Sequence, residues 1–242
     1  MTAAIDLKQV SFQYSTGKRV LVDIDFTVMP KEFVGIVGPN GSGKTTLLKI
    51  VLGLLQPNAG QVTVLGESPR RARRKVGYVP QYLRVSSDFP INVEQVVLMG
   101  TLSGFRPFSR YSAANRDAVK EQLDHLEIGS LARRPFSELS GGQQQRVLIA
   151  RAMVADPEIV ILDEPTASAD PGAEQNIFKL LGEAAKSKTI IVVSHDVGFI
   201  SSYVSRVACL NQTLVCHDTA HLTPELMDRL YGHHVHAIDH QH

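Results

Sequence analysis

From residue 5 to about 29 apolar side chains recur at alternate positions: Ile5, Leu7 and Val10, then Val20, Val22, Ile24, Phe26 and Val28. A period of two predicts antiparallel strands with one buried face. Residues 33–37 form a short apolar strand that runs into a glycine-rich turn, and a helical pattern follows over about 44–52. Further strands are predicted at 61–65 and 75–79. Between about 82 and 154 β-branched runs almost vanish and helical spacing takes over, around 93–99, 113–126 and 142–154, which predicts a helical subdomain inserted in the sheet. Apolar strands at 159–162 and 189–193 then flank a helix at 173–185, the alternation of a parallel sheet covered by helices. A hairpin over 206–210 and 213–217 turns at Asn211-Gln212, and a short helix at 224–231 leads into a histidine-rich tail. The expected class is α/β, with one domain over 1–222 and the short helix and tail at 223–242.

Composition narrows the picture. A chain of 242 residues holds one sizeable α/β core with a subdomain. A hydrophobic share of 43% with 20% charged residues is ordinary for a globular protein and excludes a disordered or fibrous chain. A net charge of +1 sets up no strong field for nucleic acid. The apolar runs at 158–163 and 189–194 have strand length, far short of the roughly 20 residues that span a bilayer. The first residues lack the basic and then apolar stretch of a secretory signal, which predicts a cytosolic location. Cys209 and Cys216 lack C-x-x-C spacing, so core packing is expected of at least one rather than a disulfide or a zinc knuckle.

Three segments carry chemistry. Gly38, Pro39, Asn40, Gly41, Ser42, Gly43, Lys44, Thr45 and Thr46 fit G-x-x-x-x-G-K-[ST] where a strand hands over to a helix, the P-loop NTPase context for binding phosphate. Glycines let successive N–H groups turn inward, and the helix N-terminus adds partial positive charge. Lys44 is expected to reach the β and γ phosphates, and Thr45 to coordinate Mg²⁺. The strand at 159–162 ends in Asp163 and Glu164, at the sheet edge where ligands bind in parallel α/β proteins. Asp163 is expected to hold Mg²⁺ through water, and Glu164 to orient and deprotonate the attacking water. By itself that pair is a solvated strand end; beside a phosphate loop it reads as chemistry. Ser140, Gly141, Gly142 and Gln143 open a second helix with a hydroxyl and a row of N–H donors, either an ordinary cap or a second phosphate site. One γ-phosphate hardly needs two such loops from one chain, so the second is expected to serve nucleotide bound to another copy.

Taken together, these segments resemble the nucleotide-binding subunits of ABC transporters over about 5–220. Leu139 to Gln143 reads LSGGQ, and Tyr14 precedes the phosphate loop as the family's adenine-stacking aromatic does. Gln81 sits as the Q-loop glutamine, His195 matches the switch histidine, and Ser168-Ala-Asp170 is similar to the D-loop, with Ala169 where leucine is frequent. The resemblance implies ATP and Mg²⁺ as ligands, with Gln81 joining Mg²⁺ and water to the helical subdomain and His195 contacting the γ-phosphate. It also implies a head-to-tail homodimer closing on two ATP molecules, no nucleic acid partner, and a separate transmembrane permease that receives the motion through residues 81–99. The subunit would then sit on the cytoplasmic face of the membrane, in a system that includes an extracytoplasmic solute-binding protein. Val96-Val-Leu-Met-Gly100 and the tail with His233, His234, His236, His240 and His242 are similar to subunits of zinc, manganese or iron importers. Alternatives are another cargo, an ABC-type ATPase acting on nucleic acid, or a small-molecule kinase, though a kinase has no use for LSGGQ.

Overall fold

The computed structural model describes residues 2–15, 17–81, 90–102, 111–165, 171–195 and 197–219. They divide into two compact units, Met1–Ala72 with Ile191–His242, and Arg73–Ile190. The first unit opens with β1 (Ile5–Gln13), β2 (Arg19–Val28), β3 (Phe33–Val37), α1 (Lys44–Val51), β4 (Ala59–Val64) and α2 (Pro69–Ala72). The second contains β5 (Val76–Val79), α3 (Val93–Leu98), α4 (Ala113–His125), α5 (Gly141–Met153), β6 (Ile159–Asp163) and α6 (Pro171–Ala185). Strand β7 (Thr189–Ser194) carries the chain back to the first unit, which ends with α7 (Val197–Ser201), β8 (Arg206–Asn211) and β9 (Thr213–Asp218). Among the described residues no helix is long and apolar enough to cross a membrane.

In the first unit β2, β1 and β4 form an antiparallel sheet in that order. The alternation along β2 does not run through as the sequence suggests. Leu21, Ile24, Phe26 and Val28 are buried, whereas Val20 and Val22 are only half-buried. The register with β1 shifts between Leu7↔Phe26, Val10↔Ile24 and Phe12↔Leu21, and Gln9 and Asp23 take positive φ of 49° and 47°. An irregularity of this kind switches which side chains face the core. It is held by polar contacts across the strands. The Asp23 amide donates to Ser11 Oγ at 2.9 Å, and the Gln9 amide donates to Asp25 Oδ1 at 2.9 Å.

The same unit holds a mixed ladder in which β3 runs parallel to β8 and β8 antiparallel to β9. Every residue of β3 is buried. The hairpin turns at Gln212, φ 64°. Cys209 lies opposite Val215 and Cys216 opposite Ala208, so the two thiols fall on opposite faces of the hairpin and both are free. Burial pushes the Cys209 thiol up to about 11, as suits a core position. Arg206 ties the ladder to β2: it pairs with Glu32 at 3.0 Å and donates to the Thr27 carbonyl at 2.6 Å.

In the second unit β5 runs parallel to β6, from Val76↔Ile159 to Val79↔Leu162. Strand β6 is buried along its whole length, which is why it reads as an unbroken apolar run. Helices α3, α4 and α5 each begin with a reciprocal capping box, Asn92 with Gln95, Ser112 with Asn115, and Ser140 with Gln143. Each box satisfies two donors that a helix start leaves orphaned, so the helices start where the sequence places a short polar residue. The single-turn helices α2 and α7 carry no apolar period that would announce them.

Gly77 is pressed against the end of α5: a Cβ there would lie 2.2 Å from the Ala152 carbonyl oxygen. Gly182 on α6 has nothing within 4 Å of the same position. Gly77→Ala should therefore destabilise the protein by about 1–3 kcal/mol through overpacking, whereas Gly182→Ala should stabilise it by about 0.5–1 kcal/mol through helix propensity. Urea unfolding of the two variants checks this, and a Gly77→Ala chain as stable as wild type would contradict the close packing of β5 on α5.

Candidate nucleotide-binding site

The phosphate loop of the first unit leaves β3 at Gly38 and enters α1 at Lys44. Gly43 caps the helix at φ 107° and Gly41 has φ 80°, values that side chains strongly disfavour. Gly38 is required for a different reason: a Cβ there would sit 2.1 Å from the Leu210 carbonyl oxygen and 2.7 Å from Ser42 Oγ. The Lys44 ammonium folds back over the turn, donating to the Gly38 carbonyl at 2.8 Å and the Pro39 carbonyl at 3.2 Å. Ser42, Lys44 and Thr46 are buried, while Pro39, Asn40, Gly41 and Thr45 are exposed. Ser42 Oγ is buried without a hydrogen-bond partner. A cradle without room for a Cβ, an orphaned hydroxyl and an ammonium held over the turn fit a phosphate group. Tyr14, 40% exposed, shares a hydrogen bond with Thr46 Oγ1 at 3.1 Å, which sets its ring beside the loop. Its ring also meets Phe12 edge-on at 4.9 Å.

In the second unit Asp163 is buried at the end of β6, and Glu164 follows with φ 47°. Gln81 lies two residues beyond β5, and its Nε2 donates to Glu164 Oε2 at 2.5 Å. Tyr78, which the motifs did not single out, donates its hydroxyl to Asp163 Oδ2 at 3.4 Å. The signal for it lies in strand pairing alone, since Tyr78 sits opposite Ile161 in the parallel register. Burial, then the charge of Asp163, then the hydrogen bond to it push the Tyr78 hydroxyl up to about 12. The carboxylate and hydroxyl oxygens of Asp163 and Thr45 are the donor type that Mg²⁺ takes.

The LSGGQ segment forms the capped start of α5. Ser140 is exposed, its Oγ accepts from the Gln143 amide at 3.4 Å, and Gln143 Oε1 accepts from the Ser140 amide at 3.1 Å. Gly141, Gly142 and Gln143 are half-buried. Gln144 anchors the turn from below, donating to the Phe136 and Leu139 carbonyls at 3.2 and 3.3 Å. His195 is exposed just past β7 in the first unit. The D-loop segment Ser168-Ala169-Asp170 and the short helix and tail expected at 223–242 lie outside the described residues.

The family described as ABC transporter matches residues 21–167, a span that takes in the glycine loop, Gln81, LSGGQ and both carboxylates. The chain belongs to the ABC transporter family. It is an ATP-binding domain of a family of ATPases. It is 39% identical to the zinc transport system ATP-binding protein TroB of Treponema pallidum, across 95% of this chain and 87% of that protein. It is 38% identical to the manganese transport system ATP-binding protein MntB of Halalkalibacterium halodurans, across 96% of this chain and 93% of that protein. Among solved structures it is similar to a dimeric bacterial ABC transporter cassette, with a TM-score of 0.75 and 29% identity, over 89% of this chain and 98% of that one. The fold is that of these ATPases, with a mixed sheet containing parallel strands and a separate antiparallel sheet.

The raised Tyr78 value has a consequence for stability. The fold favours the protonated phenol, so its contribution is complete below the ordinary value of 10.0 and is lost as pH rises through about 12. Unfolding free energy, measured by urea from pH 9 upward, should fall more steeply in the wild type than in Tyr78→Phe. Equal slopes would mean that the phenol is not held against Asp163.

Proposed function

We propose that this ABC ATPase is the energising subunit of an importer for a transition metal ion, zinc, manganese or iron. It works as a homodimer on a separate transmembrane permease at the cytoplasmic face of the membrane, with an extracytoplasmic solute-binding protein delivering the cargo. The observation that carries the ATPase part is the glycine loop with the Lys44 ammonium folded over it. The metal cargo rests on the relatives named for zinc and manganese transport and on the histidines at the end of the chain.

In this reading the loop amides and Lys44 hold the β and γ phosphates, Tyr14 stacks on adenine, and Thr45, Gln81 and Asp163 hold Mg²⁺. The cation supplies charge neutralisation to the phosphates when bound. Glu164 takes the proton from the attacking water, and Gln81 fixes its orientation through the bond to Oε2. A left-handed backbone at Glu164 costs free energy that a site retains where it needs the geometry. His195 contacts the γ-phosphate. The start of α5, a helix of 13 residues, offers its amides and the Ser140 hydroxyl to ATP held by the other copy. Residues 81–99 transmit closure to the permease.

Glu164→Gln removes the base and keeps the phosphate contacts, so ATP binding should persist while turnover falls by roughly 10²-fold or more. In cells the same change should stop uptake of radiolabelled zinc or manganese. Turnover near the wild-type rate would assign the base elsewhere, and intact metal uptake with lost ATPase activity would sink the cargo.

Ser140→Arg should leave ATP binding to the monomer intact and abolish dimer closure and hydrolysis. Mixed with Lys44→Ala chains, it should regain activity, because each heterodimer then contains one site with a sound loop from each parent. No recovery on mixing, with ATP affinity lost in dilute Ser140→Arg monomer, would place Ser140 in its own chain's site.

A further inference from the structure

The start of β5 lines a cleft of about 460 Å³ in the second unit, and Arg73, Arg74 and Arg151 are among the residues that line it. Among the described residues no aspartate or glutamate lines it. Asp156 and Glu158, which flank the lining residue Pro157, pair with Lys188 and, at 3.4 Å, with Lys75 respectively. Arg151 is half-buried in the last turn of α5, and burial lowers its pKa. A guanidinium remains charged at neutral pH even so. Part of that charge is favoured by the carboxyl end of the helix dipole. Arg73 and Arg74, directly after α2, are exposed and line the same cavity. The wall is also rigid: a Cβ on Gly100 would lie 2.0 Å from the Arg151 carbonyl oxygen, so the turn after α3 packs directly on the backbone that bears Arg151.

Unpaired cations on a fixed concave wall form a receptor for an oxyanion, because a guanidinium offers paired N–H donors that match phosphate oxygens. Three positive charges exceed what one carboxylate balances and suit a multiply charged anion. We propose that this cleft is a binding site for phosphate-type anions, built from residues other than those of the glycine loop, and taking pyrophosphate or the phosphates of a nucleotide. Tyr78 also lines the cleft while its hydroxyl reaches Asp163. An anion bound there lies one side chain away from the carboxylate assigned to Mg²⁺.

Pyrophosphate titration by calorimetry tests the site in a Lys44→Ala chain, where the glycine loop is disabled, at fixed ionic strength. One anion should bind per chain. Adding Arg73→Gln and Arg74→Gln, both at exposed positions that the core does not use, should weaken that binding by about tenfold or more. Adding Arg151→Gln alone should weaken it similarly if the variant folds, which circular dichroism reports. Absence of binding to the Lys44→Ala chain, or the same affinity after both exposed arginines are replaced, overturns the proposal. Neither result bears on the transport reading, which Glu164→Gln and the mixed dimers test separately.

Discussion

A strand buried on both faces has to satisfy its backbone polar groups along the ladder and can carry only apolar side chains between. Strands β3 and β6 are in that position from end to end, apart from the aspartate that closes β6. Polar chemistry is therefore displaced to the residues just past their last apolar position. At β3 this is the glycine loop, and at β6 it is Asp163 and Glu164. Each cluster is a consequence of where burial stops.

The loop concentrates positive potential more than a helix start alone would. Lys44 occupies the first position of α1, where the helix dipole disfavours a cation. Carbonyls of Gly38 and Pro39 offset this locally by accepting from its ammonium, and both belong to the turn that the cation covers. The Leu210 carbonyl closes the loop from behind, at a separation that only glycine tolerates. An arriving phosphate would exchange neutral carbonyl acceptors for charged ones, which roughly doubles the strength of such hydrogen bonds.

Much of this was legible in the sequence because it is encoded locally. Glycine spacing dictates the turn at Gly38 to Gly43, and Ser140 with Gln143 announces the start of α5 through three-residue spacing. Strand positions followed from period and apolar run length. What could not be read depends on partners distant in sequence. The face of β2 switches because Ser11 and Asp23 meet across twelve positions and Gln9 and Asp25 across sixteen, so Leu21 takes the core position that alternation assigned to Val20 and Val22. The bond from Tyr78 to Asp163 spans 85 positions, and nothing around Tyr78 marks it. Gln81 was placed only by resemblance to a family, since a lone glutamine after a strand has no local signature.

Both contacts at the carboxylates are set by one register. Tyr78 stands opposite Ile161 and reaches Asp163, two residues on; Val79 stands opposite Leu162. Gln81 and Glu164 each lie two residues beyond that last pair, and their side chains meet at 2.5 Å. The bond between them thus prolongs the ladder beyond its last paired residues, and the parallel alignment of β5 with β6 fixes it more firmly than either side chain could alone. A slip of one residue in that alignment would turn Tyr78 to the opposite face and leave Gln81 displaced by about 3.3 Å along the strand. Glutamine suits the position because its amide can orient a carboxylate without exchanging a proton with it. Packing of Gly77 on α5 holds the same strand from its other side. The geometry at Glu164 is therefore maintained by the core of the second unit.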